Sequence, residues 1–426
     1  MEKENLTLKI NEVNINGEGV AYINNEETKV CVKGVLPEET VIAKKVFEKK
    51  NFINAKLEKV VEGSSLRIKP KCNFCGNCGG CDYQHISVEN GLELKRKIIS
   101  KYFADIYSGE IIANKSKSEF NYRNKVSFFV KGNKIGFQQE NTNNIVEIDN
   151  CMLLQPILNR LLIFFKKWLK NNKEDAINHL VARVLNENLI ITLVVREKPK
   201  NLQNLVDGLK KEFLNTKMGF YLNYNTSCKF ILSDKWEHIF GLKNLQDNFN
   251  GVNYFVHPYS FLQVNNDVRN DIYNIVLQNV DNREVIEGYS GAGLLSAIIA
   301  KKAKKVFAVE INKNATKDAD YLKKINNLTN LQNINGDCSK ILPELAKQNP
   351  NAIFLIDPPR SGCDQNTLKA IKENNISKVI YISCNPYTLK QNLKFLSDNY
   401  NIDSIQIFDM FPNTSNIESL AFLTKK

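Results

Sequence analysis

The sequence of 426 residues contains no run of about 18 consecutive apolar residues, the length that a membrane-spanning helix needs. Its first residues, Met-Glu-Lys-Glu-Asn, have no apolar stretch of the kind found in secretion signals. Internal repeats and low-complexity segments are also absent. These absences argue against a membrane-spanning or secreted protein, and we expect a cytoplasmic protein that makes no membrane contact.

What the sequence does contain is an excess of positive charge, with a formal net charge of +12 at pH 7. A basic chain favours a polyanionic partner such as nucleic acid. A general richness in asparagine, isoleucine and lysine explains the charge equally well, so charge alone does not identify the partner. The hydrophobic content of 43% supports sizeable cores, and the length predicts two or three domains.

The ten cysteines are unevenly placed. Four lie between Cys72 and Cys81, and the scattered ones are Cys31, Cys151, Cys228, Cys338, Cys363 and Cys384. Such a group in a cytoplasmic chain indicates a metal site rather than disulfides. The spacing is too tight for two zinc knuckles and resembles iron–sulfur loops, whose fourth thiolate often comes from a distant position. Cys151 is the candidate for that position, and for His85 we expect a structural role rather than zinc ligation.

Residues 1–62 contain four predicted strands, at 6–10, 20–23, 28–32 and 40–46, separated by turn signals. Strands of this number and length predict a small Greek-key barrel of the OB type, a common oligonucleotide-binding scaffold. Several lysines lie in or just after the last strand. They suit phosphate contacts as a group, although a solvated face explains any one of them.

Residues 63–250 predict a central domain of mixed α+β structure, with helices at 92–103 and 157–171 and strands at 125–130, 182–185 and 189–195. The segment leading into the first strand, Asn121-Tyr-Arg123-Asn-Lys125, combines an aromatic ring with two cations. Such a combination can bind phosphate and stack a base. A solvated turn is the alternative.

Residues 251–426 alternate regularly between strands and helices, which predicts a doubly wound parallel sheet with ligand loops at the strand ends. A glycine loop, Ser290-Gly-Ala-Gly293, follows the first strand, and Glu310 ends the second. The loop lets the backbone approach a ligand, and the acid can accept hydrogen bonds from ribose hydroxyls. Because the loop departs from G-x-G-x-x-G, S-adenosylmethionine fits better than a dinucleotide.

Two later strands of this region end in polar residues, one at Asp357 and the other at Cys384. Asn385-Pro386 follows the sulfur directly, which places the thiol at the carboxyl end of its strand, where α/β sheets bind ligands. A nucleophilic cysteine suits that position. The alternative is a small, inert core residue.

Five segments, taken in order, resemble the motif series of the RNA 5-methyluridine methyltransferases. They are HPYSFLQVN at 257–265, GYSGAG at 288–293, DPPR at 357–360, SCNP at 383–386 and MFPNTSNIE at 410–418. The N-terminal strands resemble the family's TRAM domain, so the resemblance covers nearly the whole chain. The positions that match the four ligands of the family's [4Fe-4S] cluster are Cys72, Cys78, Cys81 and Cys151. Cys75 is then supernumerary.

The resemblance implies a class I methyltransferase that uses S-adenosylmethionine to methylate carbon 5 of a uridine in RNA. The positions that match the family's cofactor contacts, or that we assign with them, are Gln263, Tyr289, Gly291, Gly293, Glu310, Asp337 and Asp357. Cys384 matches the nucleophile and Glu418 the base that removes the proton from carbon 5, while Asp357 can hydrogen-bond the uracil edge or the cofactor amine. We assign RNA contacts to Arg123, Lys125 and Phe261.

Several alternatives stay open at this point. Gln263 can cap a turn, Tyr289 can belong to the core, and Glu418 can be a surface acid. The cysteine loop and barrel resemble the branch that acts on 23S ribosomal RNA, with transfer RNA as the second substrate and an inactive RNA-binding or assembly protein as the third possibility. Asn416 stands where the family commonly has histidine, which puts the orientation of Glu418 in question. We expect a monomer.

Overall fold

The computed structural model describes residues 5–24, 27–140, 142–172, 174–227, 230–374 and 376–426, so that Cys228 lies outside the described residues. The chain divides into two compact units. The first comprises Met1–Gly76, Gly80–Lys117 and Leu342–Lys426, and the second comprises Asn77–Gly79 and Ser118–Ile341. The three-domain division stays a prediction. Within the described ranges no helix is both long and apolar enough to cross a membrane.

The N-terminal part of the first unit is a six-stranded sheet. Its strands are β1 (Asn5–Lys9), β2 (Glu12–Val13), β3 (Gly19–Ile23), β4 (Thr28–Val32), β5 (Thr40–Lys49) and β6 (Phe52–Glu62). The order is β1-β5-β6-β4-β3-β2, antiparallel except for the β4–β6 pair. The four predicted strands are confirmed, while β2 and β6 were not predicted. Among residues 5–24 and 27–62 no ladder joins β1 to β2, so the sheet shows no closed barrel there.

A long helix and a short strand complete this part of the first unit, α1 (Val88–Phe103) and β7 (Ile111–Asn114). Ser87 begins the helix, since its hydroxyl oxygen accepts a hydrogen bond from the Asn90 N–H at 3.2 Å. The helix starts four residues before the predicted one. Its buried face includes Leu92, Ile99 and, unusually for a cation, Lys95.

The second unit contains a mixed seven-stranded sheet. Its elements, with a following hairpin, are β8 (Lys125–Lys131), β9 (Lys134–Gln138), β10 (Ile145–Val146), α2 (Pro156–Asn171), β11 (Ile177–Leu185), β12 (Asn188–Val195), α3 (Leu202–Glu212), β13 (Met218–Tyr224), β14 (Trp236–Gly241), β15 (Leu245–Phe249) and β16 (Val252–Val256). The sheet order is β10-β9-β8-β11-β12-β13-β14, and β15 pairs with β16. The central strands β11 and β12 are largely buried; β12 is a nearly continuous apolar run, whereas β11 also buries Arg183.

The second unit continues with α4 (Asn266–Gln278), β17 (Glu284–Gly288), α5 (Leu294–Ala300), β18 (Lys305–Glu310), α6 (Lys313–Ile325) and β19 (Leu331–Asn335). The three strands are parallel, in the order β19-β18-β17. Gly288 pairs with Val309, so the loops after β17 and β18 leave the sheet at the same edge. The predicted strand–helix alternation is confirmed here.

The chain returns to the first unit within α7 (Cys338–Gln348) and continues with β20 (Ile353–Ile356), α8 (Gln365–Glu373), β21 (Lys378–Ser383), α9 (Pro386–Leu396), β22 (Tyr400–Phe408) and β23 (Glu418–Lys425). In this unit the strand order is β20-β21-β23-β22-β7. Strand β23 runs antiparallel to β21, with Ser383 opposite Ser419. The first residue of β23 therefore lies at the carboxyl end of β21.

Candidate active site

Cys384 follows β21 directly, and its backbone position is fixed from both sides. Asn385 caps α9 by accepting a hydrogen bond from the Tyr387 N–H at 3.1 Å. The Asn385 amide also donates to the Arg360 carbonyl at 2.8 Å, which ties the loop after β21 to the loop after β20. Cys384 is half-buried, so the alternative of an enclosed core residue does not describe it.

The charges around the Cys384 sulfur act in opposite directions. Burial raises the pKa of this thiol, and the nearby carboxyl groups of Glu418 and Asp357 raise it further. The Arg360 guanidinium lowers the pKa, through its charge and through a side-chain hydrogen bond to the sulfur. Arg360 is thus the one residue in this set that favours the thiolate.

Glu418 begins β23 and is 1% exposed. The alternative of a surface acid is therefore wrong. Its Oε2 atom has no hydrogen-bond partner among the described residues. Burial raises the pKa of this carboxyl well above its usual range, and the Asp357 charge raises it further, while Arg360 opposes both. A carboxylate in such surroundings binds a proton readily, which is the property that a general base needs.

Asp357 follows β20 at the same strand edge and is half-buried. Burial raises its pKa from 3.8 to about 6. We call Asp357, Arg360, Cys384 and Glu418 the acid–thiol cluster. It combines a thiol, two carboxyl groups with raised proton affinity and one cation. Arg360 received no role from the sequence, although it stands in the DPPR motif.

The glycine loop and Glu310 meet in the second unit. The Gly291 N–H donates to the Glu310 carboxylate at 3.0 Å, and the Asn312 N–H donates to its other oxygen at 2.6 Å. Gly291 has a φ of +56°, and a side chain there would extend into open space. Gly293 has a φ of +79°, and a Cβ atom on it would lie 2.8 Å from that of Ala319. Both glycines are required by the backbone, and the space over Gly291 leaves room for a ligand.

Three other predicted cofactor residues also lie in the second unit. Tyr289 has a φ of +63°, which a non-glycine residue rarely adopts, and this matches the strain often found at ligand loops. Asp337 follows β19 and accepts hydrogen bonds from the N–H and hydroxyl of Ser339, which lower the pKa of its carboxyl group. Gln263 is half-buried, and its backbone carbonyl accepts a hydrogen bond from the Asn124 side-chain amide at 3.3 Å.

The segment 257–263 is held by buried polar side chains. Asp318 accepts hydrogen bonds from the Ser260 hydroxyl at 2.9 Å and faces the His257 ring at 3.2 Å. Arg183 donates to the Ser260 and Leu262 carbonyls, on either side of Phe261. The Phe261 ring itself is 75% exposed and therefore free for contact with a partner.

Cations gather beside this segment. Lys125 lies opposite Arg183 on neighbouring strands, although like charges in that arrangement repel. Burial and the charges of Arg183 and Arg123 lower the pKa of Lys125 to about 8. Tyr122 is buried and cannot stack on a base. The sequence did not single out Arg183, since an arginine in a strand is not distinctive by spacing.

The residues of the cysteine loop are divided between the two units. In the second unit the Cys78 charge acts on Cys151, and burial together with Cys78 raises the pKa of Cys151. The Cys151 backbone is fixed by two hydrogen bonds to the Asn159 amide, at 2.9 and 3.0 Å. In the first unit the Cys72 N–H donates to Gln84. The described part of the chain shows no group of three or more metal-binding side chains in ligating geometry.

Asn416 does not orient Glu418 through its side chain, which is exposed and lies 3.5 Å from the Thr414 hydroxyl. Other contacts hold the segment that leads into Glu418. In one of them, the Lys95 ammonium group donates a hydrogen bond to the Asn416 backbone carbonyl at 3.2 Å.

Comparisons with known proteins identify the family of the chain. Residues 87–342 and 340–426 match a family model described as tRNA (Uracil-5-)-methyltransferase. The chain is 32% identical over 434 residues to an uncharacterized RNA methyltransferase of Caldanaerobacter subterraneus subsp. tengcongensis, and the match covers 96% of this chain and 95% of the relative. A second uncharacterized RNA methyltransferase, from Fusobacterium nucleatum subsp. nucleatum, is 29% identical over 99% of this chain and 96% of its own length.

A solved structure is also similar. The crystal structure of Pyrococcus abyssi tRNA (uracil-54, C5)-methyltransferase in complex with S-adenosyl-L-homocysteine superposes with a TM-score of 0.80 and 24% identity, covering 98% of this chain and 100% of that one. At this identity the likeness shows the fold, and it confirms the predicted class I methyltransferase-like α/β architecture.

Proposed function

The chain belongs to the tRNA (uracil-5-)-methyltransferase family, and we propose that it moves a methyl group from S-adenosylmethionine to carbon 5 of a uridine through a covalent bond to Cys384. The observation that supports this most is the acid–thiol cluster. A half-buried thiol, a buried carboxyl group and a cation act on one another at the ends of adjacent strands. An RNA-binding protein without catalytic activity has no need for that combination.

The first step requires a Cys384 thiolate. Carbon 5 of uracil is a poor nucleophile until the sulfur attacks carbon 6, which moves the electron pair of the C5–C6 double bond into an enolate. Arg360 stabilises the thiolate, whereas Glu418 and Asp357 oppose it. Since each anion disfavours the others, the thiol loses its proton most readily when a neighbouring carboxyl group holds one.

The later steps require Glu418. Once carbon 5 has taken the methyl group, the Glu418 carboxylate accepts the proton from carbon 5. The C5–C6 double bond forms again as the C6–S bond breaks, and Cys384 leaves as a thiolate. The raised proton affinity of the buried Glu418 suits this transfer from carbon. Asp357 can hydrogen-bond the uracil edge when it is protonated, because burial brings its pKa near neutrality.

The second unit contains residues that fit S-adenosylmethionine, which supplies an electrophilic methyl group when it is bound. Each oxygen of the Glu310 carboxylate accepts one backbone N–H and keeps capacity for a ribose hydroxyl. Open space over Gly291 allows close approach of the ligand to the backbone. Gln263, Tyr289 and Asp337 are the further residues that we assign to this ligand.

RNA contacts are assigned to Arg123, Lys125 and Phe261. Burial, followed by the charges of Arg183 and Arg123, lowers the pKa of Lys125, and a phosphate group beside it would favour its charged form. An exposed aromatic ring such as that of Phe261 suits base stacking. The target base must leave its stack to reach the thiol, which favours RNA loops over duplexes.

Within this class we propose 23S ribosomal RNA as the substrate, on the resemblance of the N-terminal strands to a TRAM domain and of the cysteine loop to the ribosomal-RNA branch. Transfer RNA is the second candidate, which the similar structure from Pyrococcus abyssi favours, since that protein acts on uracil 54 of tRNA. Mapping 5-methyluridine in RNA from a deletion strain decides between them. The two substrates predict loss of the modified base from different RNA molecules.

The cysteine loop remains a candidate [4Fe-4S] site with Cys72, Cys78, Cys81 and Cys151 as its ligands. Four thiolates are the donor set that such clusters use, and the electrostatic contact between Cys78 and Cys151 supports their closeness. No step of the reaction depends on this cluster, and its role would be structural.

The activity is tested by tritium release from RNA labelled at carbon 5 of uridine. We expect release that depends on S-adenosylmethionine, none from Cys384→Ala, and unchanged RNA binding by that variant. An inactive binding protein would bind RNA but release no tritium. Turnover by Cys384→Ala would exclude the covalent route.

A further inference from the structure

The segment 413–417, which leads into Glu418, is held by residues outside the acid–thiol cluster. On one side Lys95, from the buried face of α1, donates to the Asn416 carbonyl at 3.2 Å. The same ammonium group pairs with Asp409 at 2.7 Å, where the two side chains are 4% and 2% exposed. A cation buried this deeply is rare and requires a specific reason.

On the other side the segment is held by Asp82. Its two carboxylate oxygens accept hydrogen bonds from the Ser415 N–H at 2.7 Å and from the Ser415 hydroxyl at 2.6 Å. The next residue, Tyr83, donates its N–H to the Asn413 carbonyl at 3.1 Å. Contacts at Asn413, Ser415 and Asn416 therefore fix the backbone within five residues of Glu418.

Fixing the backbone matters because Glu418 has little else to orient it. Among the described residues, the Glu418 Oε2 atom has no hydrogen-bond partner. The Asn416 side chain is exposed and therefore does not supply one. The direction of the carboxylate is then set by where β23 begins. A shift of the segment by a fraction of an ångström moves the base relative to the uracil ring.

We propose that Lys95 and Asp82 are positioning residues for proton removal from carbon 5, acting through the backbone at Asn416 and Ser415. This inference rests on the proposed function, in which Glu418 is the base. It goes beyond that function by naming the contacts that replace an orienting side chain at Asn416. Neither residue belongs to the acid–thiol cluster.

We expect one particular step to slow when the contact from Lys95 or from Asp82 is lost. Formation of the C6–S bond and methyl transfer need Cys384 and are spared. Transfer of the carbon 5 proton to Glu418, and the breaking of the C6–S bond that follows, become slow. The methylated RNA then stays attached to Cys384 and is visible as a slow band on a denaturing gel. Simple loss of stability would lower adduct formation and product release together.

The experiment compares Asp82→Ala with Asp82→Asn and with Asp403→Ala. Asp82→Ala loses both acceptors, whereas Asp82→Asn keeps one carbonyl oxygen. Asp403→Ala is the matched control, because it removes a similar contact at the other end of β23, where Asp403 accepts the Thr424 hydroxyl at 2.8 Å. We expect Asp82→Ala to release product roughly tenfold more slowly with normal adduct formation, and Asp82→Asn to recover most of the rate.

A second variant keeps the test independent of the cysteine loop beside Asp82. Lys95→Met alone would leave Asp409 buried and unpaired, so the double variant Lys95→Met/Asp409→Leu is used, since apolar replacement of a buried pair is often neutral for stability. It removes the contact to Asn416, and we expect the same persistent adduct.

Glu418→Gln, assayed in parallel, separates failure of the inference from failure of the proposed function. Release by Glu418→Gln at the normal rate would overturn both. A persistent adduct in Glu418→Gln, together with normal release by Asp82→Ala and by the double variant, would overturn the positioning role alone. A proportional fall of adduct and product in Asp82→Ala and in the double variant would also overturn the positioning role.

Discussion

Asp357→Asn should make the folded chain more stable above about pH 6 while impairing methylation. The pKa of Asp357 is about 6 in the folded chain, against an ordinary value of 3.8. The folded state therefore binds the proton more tightly than the unfolded state does. As the pH rises from about 4 to about 6, the unfolded chain loses this proton first, and the folded state is progressively disfavoured.

The size of the effect follows from the two pKa values. The difference between 3.8 and about 6, at about 1.4 kcal/mol for each pKa unit, corresponds to about 3 kcal/mol. This cost is absent at pH values below the ordinary pKa, grows up to the folded pKa and is constant above it. Asparagine does not titrate and has a similar shape, so the variant avoids the cost.

The assay is urea unfolding of the two proteins from about pH 4 to about pH 8, with the difference in unfolding free energy plotted against pH. Taking the difference removes the contributions of all other carboxyl groups. Asp207→Asn, which removes an exposed acid on α3, is the control for loss of a carboxyl group elsewhere. A flat curve for Asp357→Asn, or a variant that becomes less stable relative to the unchanged protein as the pH rises, would refute the raised pKa of Asp357.

Three further predictions concern other parts of the protein. Arg360→Met should raise the pKa of Cys384, so the rate of adduct formation should require higher pH than in the unchanged enzyme, and Arg360→Lys should fall between; an unshifted profile would remove Arg360 from this role. Phe261→Ala should weaken RNA binding by about 1–3 kcal/mol in a filter assay if a base stacks on it, with S-adenosylmethionine binding unchanged, and equal RNA affinity would exclude stacking. Cys151→Ser should abolish the iron content of anaerobically purified protein and Cys75→Ser should leave it unchanged, whereas iron loss only in the latter would reassign the ligand.

Much of the methyltransferase architecture could be predicted from local pattern. Strands β17 to β21 are short and alternate with helices, and β18 ends at Glu310 as predicted. The thiol at the end of β21 was evident because a polar pair follows the apolar run directly. These features depend on neighbouring residues, which is the information that a single sequence contains.

What the sequence could not supply depends on contacts between distant segments. The position of Glu418 beside Cys384 arises because β23 enters the sheet antiparallel to β21, which no local pattern specifies. Lys95 stands on the apolar face of its helix, three residues after Leu92 and four before Ile99. A cation at such a position indicates from sequence alone that the side chain is buried with a partner. Its partner Asp409 is 314 positions away and could not be identified by spacing.

The N-terminal sheet illustrates a further limit. Its four predicted strands are present, but β6, whose sequence mixes lysines with isolated apolar residues, was not predicted. Only Ile53 and Ala55 of that strand are fully buried, so its alternation is short and its outer half resembles a solvated segment. Nine residue pairs with β5 stabilise it instead, and such pairing depends on the tertiary structure.

The covalent mechanism is tested most directly by mass spectrometry of peptides from Glu418→Gln after incubation with RNA and S-adenosylmethionine. We expect the peptide containing Cys384 to bear a methylated uridine nucleotide, since the sulfur is attached and the proton at carbon 5 is retained. An unmodified Cys384 peptide, accompanied by free methylated RNA, would contradict it.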